Sequence, residues 1–276
     1  MPYSPDSGSI KTVRVCSAQI AAVWDSPEKT LQKIEPYIYH AARSGADIIC
    51  FPEQFTTGWD PESRDYAQDE SGQIVSTLQR LAHNASIAIL GSFRERSGNG
   101  IKNTAIAIGK EGNILTTYSK IHLFSHSHEN DYYEPGSSFG LFTIGEIKFG
   151  IAICYDLRFP ELFRLYEERW AHAVVVPAAW PADRIRHWEL FIRARAAENQ
   201  MYVTGINTTG TTPVDMYSGH SMTADPSGNI IQRCGNAEEL GFIDLDPEQV
   251  LSARKEFPLL KDRKVDVYRS LSRDEK

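Results

Sequence analysis

Apolar positions along the chain follow two rhythms that alternate from segment to segment. The run TVRVCSAQI (12–20) alternates apolar and polar residues and predicts a strand. Ser26-Pro27 then has the form of an N-cap followed by proline at the first helical position. Leu31, Ile34, Ile38 and Ala41/Ala42 fall on one face of a helix reaching Arg43. Pro36 is expected to bend that helix or shift its start, and Gly45 is placed to end it. The apolar run ADIICF, bounded by Gly45 and Pro52, suits a buried strand. Residues 72–84 predict a helix and 86–93 a strand.

Residues 104–118 predict two strands around a Glu-Gly-Asn turn, and 221–233 repeat the device. Both carry Gly-Asn-Ile, which is either an echo between two halves of the fold or a chance similarity of turns. Further strands are expected at 147–154, 172–180, 201–207 and 241–246, with helices at 159–170 and 183–200. Short apolar strands alternating with helices predict an α/β layered fold. The hairpins predict mixed rather than purely parallel sheets.

The length of 276 residues allows one large domain or two small ones. No stretch reads as an inter-domain linker, so the expectation is a flexible N-terminal tail at 1–11 and a single domain over 12–276. The formal net charge of −7 argues against a nucleic-acid or anionic-membrane partner. No apolar run approaches the roughly 20 residues that span a bilayer. The four cysteines, Cys16, Cys50, Cys154 and Cys234, form no Cys-x-x-Cys pair, and no secretory signal is visible. A cytoplasmic location with free thiols is expected.

Ligand sites in α/β folds lie just beyond strand C-termini. Glu53 follows ADIICFP, Lys120 follows a strand ending in TTYS, and Cys154 ends KFGIAIC before a helix. A thiolate attacks carbonyl carbon, a carboxylate can take its proton, and an ammonium can hold the resulting oxyanion. A buried lysine keeps its charge only with carboxylate support, so two acids beside one lysine make physical sense. Each residue also has a plainer account. A lone cysteine on an apolar strand is usually core, and a lone Glu or Lys at a strand end is usually solvated.

The segments FPEQFTTGW, YSKIHLF and GIAICYDLRFPEL resemble, in that order, the three signature blocks of the nitrilase superfamily of carbon–nitrogen hydrolases. The resemblance runs from VRVCSAQI near residue 13 to FPLLKDR near 257–263. It implies a four-layer αββα sandwich with mixed sheets, paired into a homodimer or higher homo-oligomer. It implies Glu53 as general base, Cys154 as nucleophile and Lys120 as oxyanion stabiliser, with the Tyr155 N–H as second donor. A further glutamate of the family matches Glu129, with Glu134 as the competing position. The implied reaction forms a cysteine thioester, releases ammonia, and needs no metal or organic cofactor.

CYDLRFPEL followed by WPADRIRHWELFIRARAAENQMYVTGIN is similar to the ω-amidase-like branch, whose substrates are amides of 2-oxo dicarboxylic acids. A distal carboxylate needs a cation, and Arg158 is the candidate, against the alternative of a structural salt bridge. Phe124, Tyr132 and Trp180 are candidate pocket walls, each alternatively core or support. The arginines and acids of 183–198 predict an ordinary helix with ion pairs near a subunit interface. Other substrate classes within the family are N-carbamoyl amino acids and simple aliphatic amides. Two rival classes are a metal hydrolase built on His122, His126 and His128, and a non-catalytic metabolite-binding scaffold.

Overall fold

The computed structural model describes residues 11–271. The expected tail therefore lies, apart from Lys11, outside the described residues. In the first half the elements are β1 (Val13–Gln19), α1 (Pro27–Arg43), β2 (Ile48–Cys50), α2 (Gln73–Ala85), β3 (Ala88–Ser97), β4 (Gly100–Ile108) and β5 (Ile114–Ser119). A short helix α3 (Glu129–Tyr132) leads to the second half. There follow β6 (Leu141–Ile144), β7 (Ile147–Ile151), α4 (Pro160–Glu168), β8 (Ala173–Ala178), α5 (Ile185–Asn199) and β9 (Tyr202–Asn207). The chain continues through β10 (Thr209–Thr211), β11 (Met216–Ser218), β12 (Met222–Ala224), β13 (Ile230–Arg233) and β14 (Glu239–Leu245). It then forms α6 (Pro247–Glu256), α7 (Leu259–Asp262) and α8 (Val265–Leu271).

Two mixed six-stranded sheets result, ordered β14-β1-β2-β3-β4-β5 and β13-β12-β9-β8-β7-β6. Strand alternation divides the core. Val13, Val15, Ile48, Cys50, Leu90, Ala105 and Ala107 cluster with Phe149, Ile151, Val174 and Val176 of the other sheet. Their neighbours Cys16, Ala18, Ile49, Ile89, Ile106 and Ile108 cluster with Ile34 and Ile38 of α1 and Leu78 and Leu81 of α2. On the far side Phe163 and Tyr166 of α4 and Trp188 and Ile192 of α5 cover the second sheet. The order is thus helices, sheet, sheet, helices, as a period-two apolar pattern with both faces buried requires.

The two sheets repeat one topology. In the first, β1, β2 and β3 are parallel and β4 and β5 antiparallel; β7, β8, β9, β12 and β13 do the same in the second. The Gly-Asn-Ile hairpins occupy equivalent places. In each, a bulge precedes the turn, and paired bonds close it: Gly109 N–H to Asn113 O at 2.8 Å and Asp225 N–H to Asn229 O at 2.9 Å. Gly112 and Gly228 supply the positive φ, +83° and +81°. The shared motif is an echo between halves.

Details of α1 differ from expectation. Ser26 holds the N-cap position but its side chain makes no capping bond; its carbonyl instead accepts from Thr30 N–H at 3.0 Å. Pro36 neither ends the helix nor moves its start from Pro27. It lies on the exposed face, where solvent can meet the Gln32 carbonyl that loses its donor. β2 is only three residues long, because after Cys50 the chain leaves the ladder to carry Glu53.

The loop from Glu53 to Trp59 is buried throughout, so its backbone needs internal partners. Arg94 of β3, itself 1% exposed, supplies one of them at Gly58 and ties the loop to the segments around it. It donates to Gln54 Oε1 (3.0 Å), Gly58 O (3.1 Å), Ser63 Oγ (2.9 Å) and Asp65 O (3.0 Å), and pairs with Asp25 at 3.3 Å. Arg94→Met is expected to lower unfolding free energy by about 2–4 kcal/mol, since several buried acceptors lose a charged donor. Urea denaturation checks this, and a loss below about 1 kcal/mol would contradict it.

Candidate active site

Turns leaving strand ends of both sheets converge on one buried cluster. After β2 the chain passes Phe51 and Pro52 to Glu53, and Gln54 takes a φ of 45° to turn it aside. Lys120 directly follows β5, its N–H donating to Asn103 O at 2.8 Å, which extends the hairpin ladder and sets its direction. Cys154 follows β7 and opens a 3-10 turn, Cys154–Arg158, with a φ of 42°. A left-handed non-glycine residue costs about 1–3 kcal/mol, so surrounding bonds must hold it there.

The Lys120 ammonium is 1% exposed. It donates to Glu53 Oε1 at 2.8 Å and to Glu129 Oε2 and Oε1 at 2.8 and 3.1 Å. Both carboxylates are themselves supported. Asn103 Nδ2 donates to Glu53 Oε1 at 2.8 Å, and the Ala179 N–H after β8 donates to Glu53 Oε2 at 3.0 Å. Phe124 N–H donates to Glu129 Oε2 at 2.7 Å. The ammonium is thus held between two carboxylates while it also lines the cleft.

Burial raises the Glu53 carboxyl above its ordinary range, against the pull of Lys120. Burial alone would lower Lys120, but Glu129 and Glu53 outweigh it and hold the ammonium well above its usual value. Burial, and after it the Glu53 charge, push the Cys154 thiol well up, against the pull of Lys120. The resting group is therefore a neutral thiol beside a carboxylate that can take its proton, not a preformed thiolate.

Cys154, 9% exposed, lines a small cleft together with Lys120. Its walls include Trp59, Phe124, Tyr155, Arg158, Trp180 and Arg184. Glu53, Lys120, Glu129 and Cys154 thus come together, and Phe124, Trp180 and Arg158 reach the cleft. Glu134 does not join them: it is exposed, its backbone bonded to Ile101 O at 2.8 Å. Tyr132 does not line the cleft either. Standing at the end of α3, it packs with Tyr133, Ile101 and Ala67, under Arg64.

Arg158 makes no salt bridge at the helix start among the described residues. Its guanidinium lies over Trp180 at 4.7 Å and Phe191 at 5.3 Å. Within α5 Arg195 pairs with Glu198 at 3.0 Å, while Glu189 pairs with Arg233 of β13 at 2.8 Å. The three histidines diverge. His122 bonds Asp156 and stacks on Phe159, His128 pairs with Asp131, and His126 is exposed near Phe124. Among the described residues no group of three or more His, Cys, Asp or Glu side chains could hold a metal ion.

Several supporting residues escape a motif reading. Asp156, fully buried two positions after Cys154, accepts from Ile153 N–H (2.8 Å), Tyr118 OH (2.8 Å) and His122 N–H (2.9 Å). It ties the Cys154 turn to the Lys120 segment. Asn207, at the end of β9, accepts from Trp180 N–H at 2.7 Å and donates to Trp180 O at 3.1 Å, fixing that wall. Asn103 bridges the two carboxylates. Asn103 sits between Lys102 and Thr104 and Asn207 ends its strand, so local pattern marks neither.

Residues 12–255 match the family model described as carbon-nitrogen hydrolase. The chain is 33% identical over 247 residues to the 2-oxoglutaramate amidase of Bacillus subtilis (strain 168), covering 89% of this chain and 95% of that one. It is 32% identical over 246 residues to omega-amidase NIT2 of Mus musculus, covering 84% and 88%. Among solved structures it resembles Saccharomyces cerevisiae Nit3, a member of branch 10 of the nitrilase superfamily. That likeness has a TM-score of 0.86 at 29% identity over 92% of this chain and 97% of that one.

Asp156→Ala is expected to destabilise the fold by about 2–4 kcal/mol and to cut reaction at Cys154 at least about tenfold, because three buried donors lose their acceptor. Denaturation and iodoacetamide labelling of Cys154 measure the two effects. Unchanged labelling would show that Asp156 does not position the thiol.

Proposed function

This chain belongs to the carbon–nitrogen hydrolase family of the nitrilase superfamily, and from that membership we infer that it is an amidase of the ω-amidase type. The substrate is a small amide bearing a carboxylate at its far end, of the 2-oxoglutaramate or 2-oxosuccinamate class, cleaved to acid and ammonia. One observation carries this reading: a buried ammonium shared by Glu53 and Glu129, beside a thiol at the foot of a cleft that Arg158 lines.

Cys154 Sγ attacks the amide carbonyl carbon while Glu53 takes the thiol proton. The oxyanion is held by the Lys120 ammonium and by the N–H of Tyr155, in the first turn of a 3-10 segment, where backbone donors lack intrahelical partners. The C–N bond breaks as Glu53 passes the proton to the leaving nitrogen, which departs as ammonia. The thioester remains. Water then attacks the same carbon, giving a proton to Glu53. The C–S bond breaks, the proton returns to sulfur, and the carboxylic acid leaves. Glu129 reacts with nothing; it keeps Lys120 charged and aimed. The chain's own groups supply each step.

The same reading includes a single domain over 12–276 and assembly as a homodimer. Leu165, Trp170 and Leu190, apolar and 38–63% exposed in and beside α4 and α5, support a second copy on that helix face. Four free, buried thiols suit a reducing compartment such as the cytoplasm.

An ammonia-release screen of 2-oxoglutaramate, 2-oxosuccinamate, glutamine, N-carbamoyl amino acids and aliphatic amides tests the substrate class. The first two are expected to turn over fastest; faster release from a carbamoyl or neutral amide would replace the reading. Cys154→Ala should abolish turnover with the fold retained, and residual activity above a few per cent would remove Cys154 as nucleophile. The pH profile tests Glu53. Its carboxyl is raised, so the base is lost by protonation as pH falls, at a pH above the ordinary 4.5. The acid limb of kcat/KM should lie above that value, and a limb below it would contradict the assignment.

A further inference from the structure

Arg184 ends the 3-10 turn Ala182–Arg184 on the rim of the same cleft. Its backbone carbonyl accepts the Trp180 indole N–H at 2.9 Å, which fixes the turn against the cleft wall. Its guanidinium lies over the Phe124 ring at 5.4 Å. The one carboxylate paired with it is that of its neighbour Asp183. That contact is at Nε, 3.5 Å away, and the Asp183 side chain is 66% exposed, so water screens it. The two terminal nitrogens of Arg184 are left for the cleft.

Arg158 lines the same cleft, over Trp180 and Phe191, with no carboxylate partner among the described residues. Burial lowers its pKa, and the nearby positive charge of Arg184 lowers it further. Two guanidiniums therefore line one small, aromatic-walled space, and among the described residues no carboxylate pairs with both. Like charges placed together in a poorly solvated cleft repel, and an anionic group between them removes the repulsion. A carboxylate has two oxygens with about four acceptor positions, enough for two planar forks.

We infer that Arg184 and Arg158 form a two-guanidinium clamp that grips the distal carboxylate of the substrate while Cys154 meets its amide end. The inference rests on the amidase reading above and adds the residue that sets selectivity. Arg158 reads the head from the Trp180 wall and Arg184 from the Phe124 wall. A 2-oxo group next to the carboxylate offers one more acceptor oxygen to the same pair. A neutral amide leaves both guanidiniums unpaired, so the clamp selects against it as well as for the anion.

The test compares kcat and KM of wild type, Arg184→Ala, Arg158→Ala and the double variant. Substrates are 2-oxoglutaramate, glutaramate (carboxylate without the 2-oxo group) and the neutral amide butyramide. Arg186→Ala, which removes the same charge from an exposed site on α5, is the control, and thermal unfolding checks each fold. The expected result is a fall of about tenfold or more in the carboxylate-to-neutral ratio of kcat/KM for Arg184→Ala. The loss should lie mainly in KM, and Arg184→Lys should recover part of it. The two single effects should be non-additive, since both arginines hold one group. An unchanged ratio for Arg184→Ala, or the same fall for Arg186→Ala, overturns the clamp while leaving the amidase reading in place. A wild type that does not prefer carboxylate amides overturns the substrate reading and the clamp together.

Discussion

The site depends on one constraint: an ammonium removed from water must be paid for locally by carboxylates. Desolvating an ion costs several kcal/mol even after relaxation. Lys120 meets this with Glu53 and Glu129, and each of these carboxylates has backbone or amide donors of its own. The donors come from β4, from the loop after Lys120 and from the end of β8 in the opposite sheet. The charge cluster therefore fixes how the two sheets meet at this edge. It also fixes where an oxyanion can be stabilised, because the ammonium it holds lines the cleft beside Cys154.

The thiol depends on the same cluster. Cys154 sits in a left-handed conformation that an L residue adopts only under constraint. Asp156 holds that turn from below, and Arg195 holds its far end by donating to Leu157 O at 3.1 Å and Arg158 O at 2.9 Å. The thiol is kept neutral by burial and by Glu53, so its proton has one place to go. Preorganisation of this kind lets the donors act without reorienting at the moment of reaction. Arg94 does the equivalent work for the Glu53 loop, whose buried backbone has little water to turn to.

The strands and helices were legible because each buries an apolar face, and burial writes a period of two or 3.6 into the chain. Leu31, Ile34, Ile38 and Ala41 mark α1 correctly even though Ser26 does not cap it and Pro36 lies within it. Packing of the apolar face outweighs those two local signals. The shared Gly-Asn-Ile turn was visible as a motif, but its meaning was not. Only strand order reveals that two halves of the chain build the same sheet.

By itself the sequence determined the family, through three motif blocks in order. It also determined the layered architecture, through local periodicity, and the residue types able to do the chemistry. Those properties are carried by short stretches, so they can be read from short stretches. The tertiary structure decided what depends on distance between remote segments. It put Glu129 rather than Glu134 against Lys120, turned Tyr132 away from the cleft, and left Arg158 on an aromatic face instead of in a salt bridge. It also brought Arg184 to the same cleft, although in sequence it looks like one more charge on a surface helix. Coulombic and hydrogen-bond terms act over a few ångströms in space, and no local pattern records which residues the fold will bring that close.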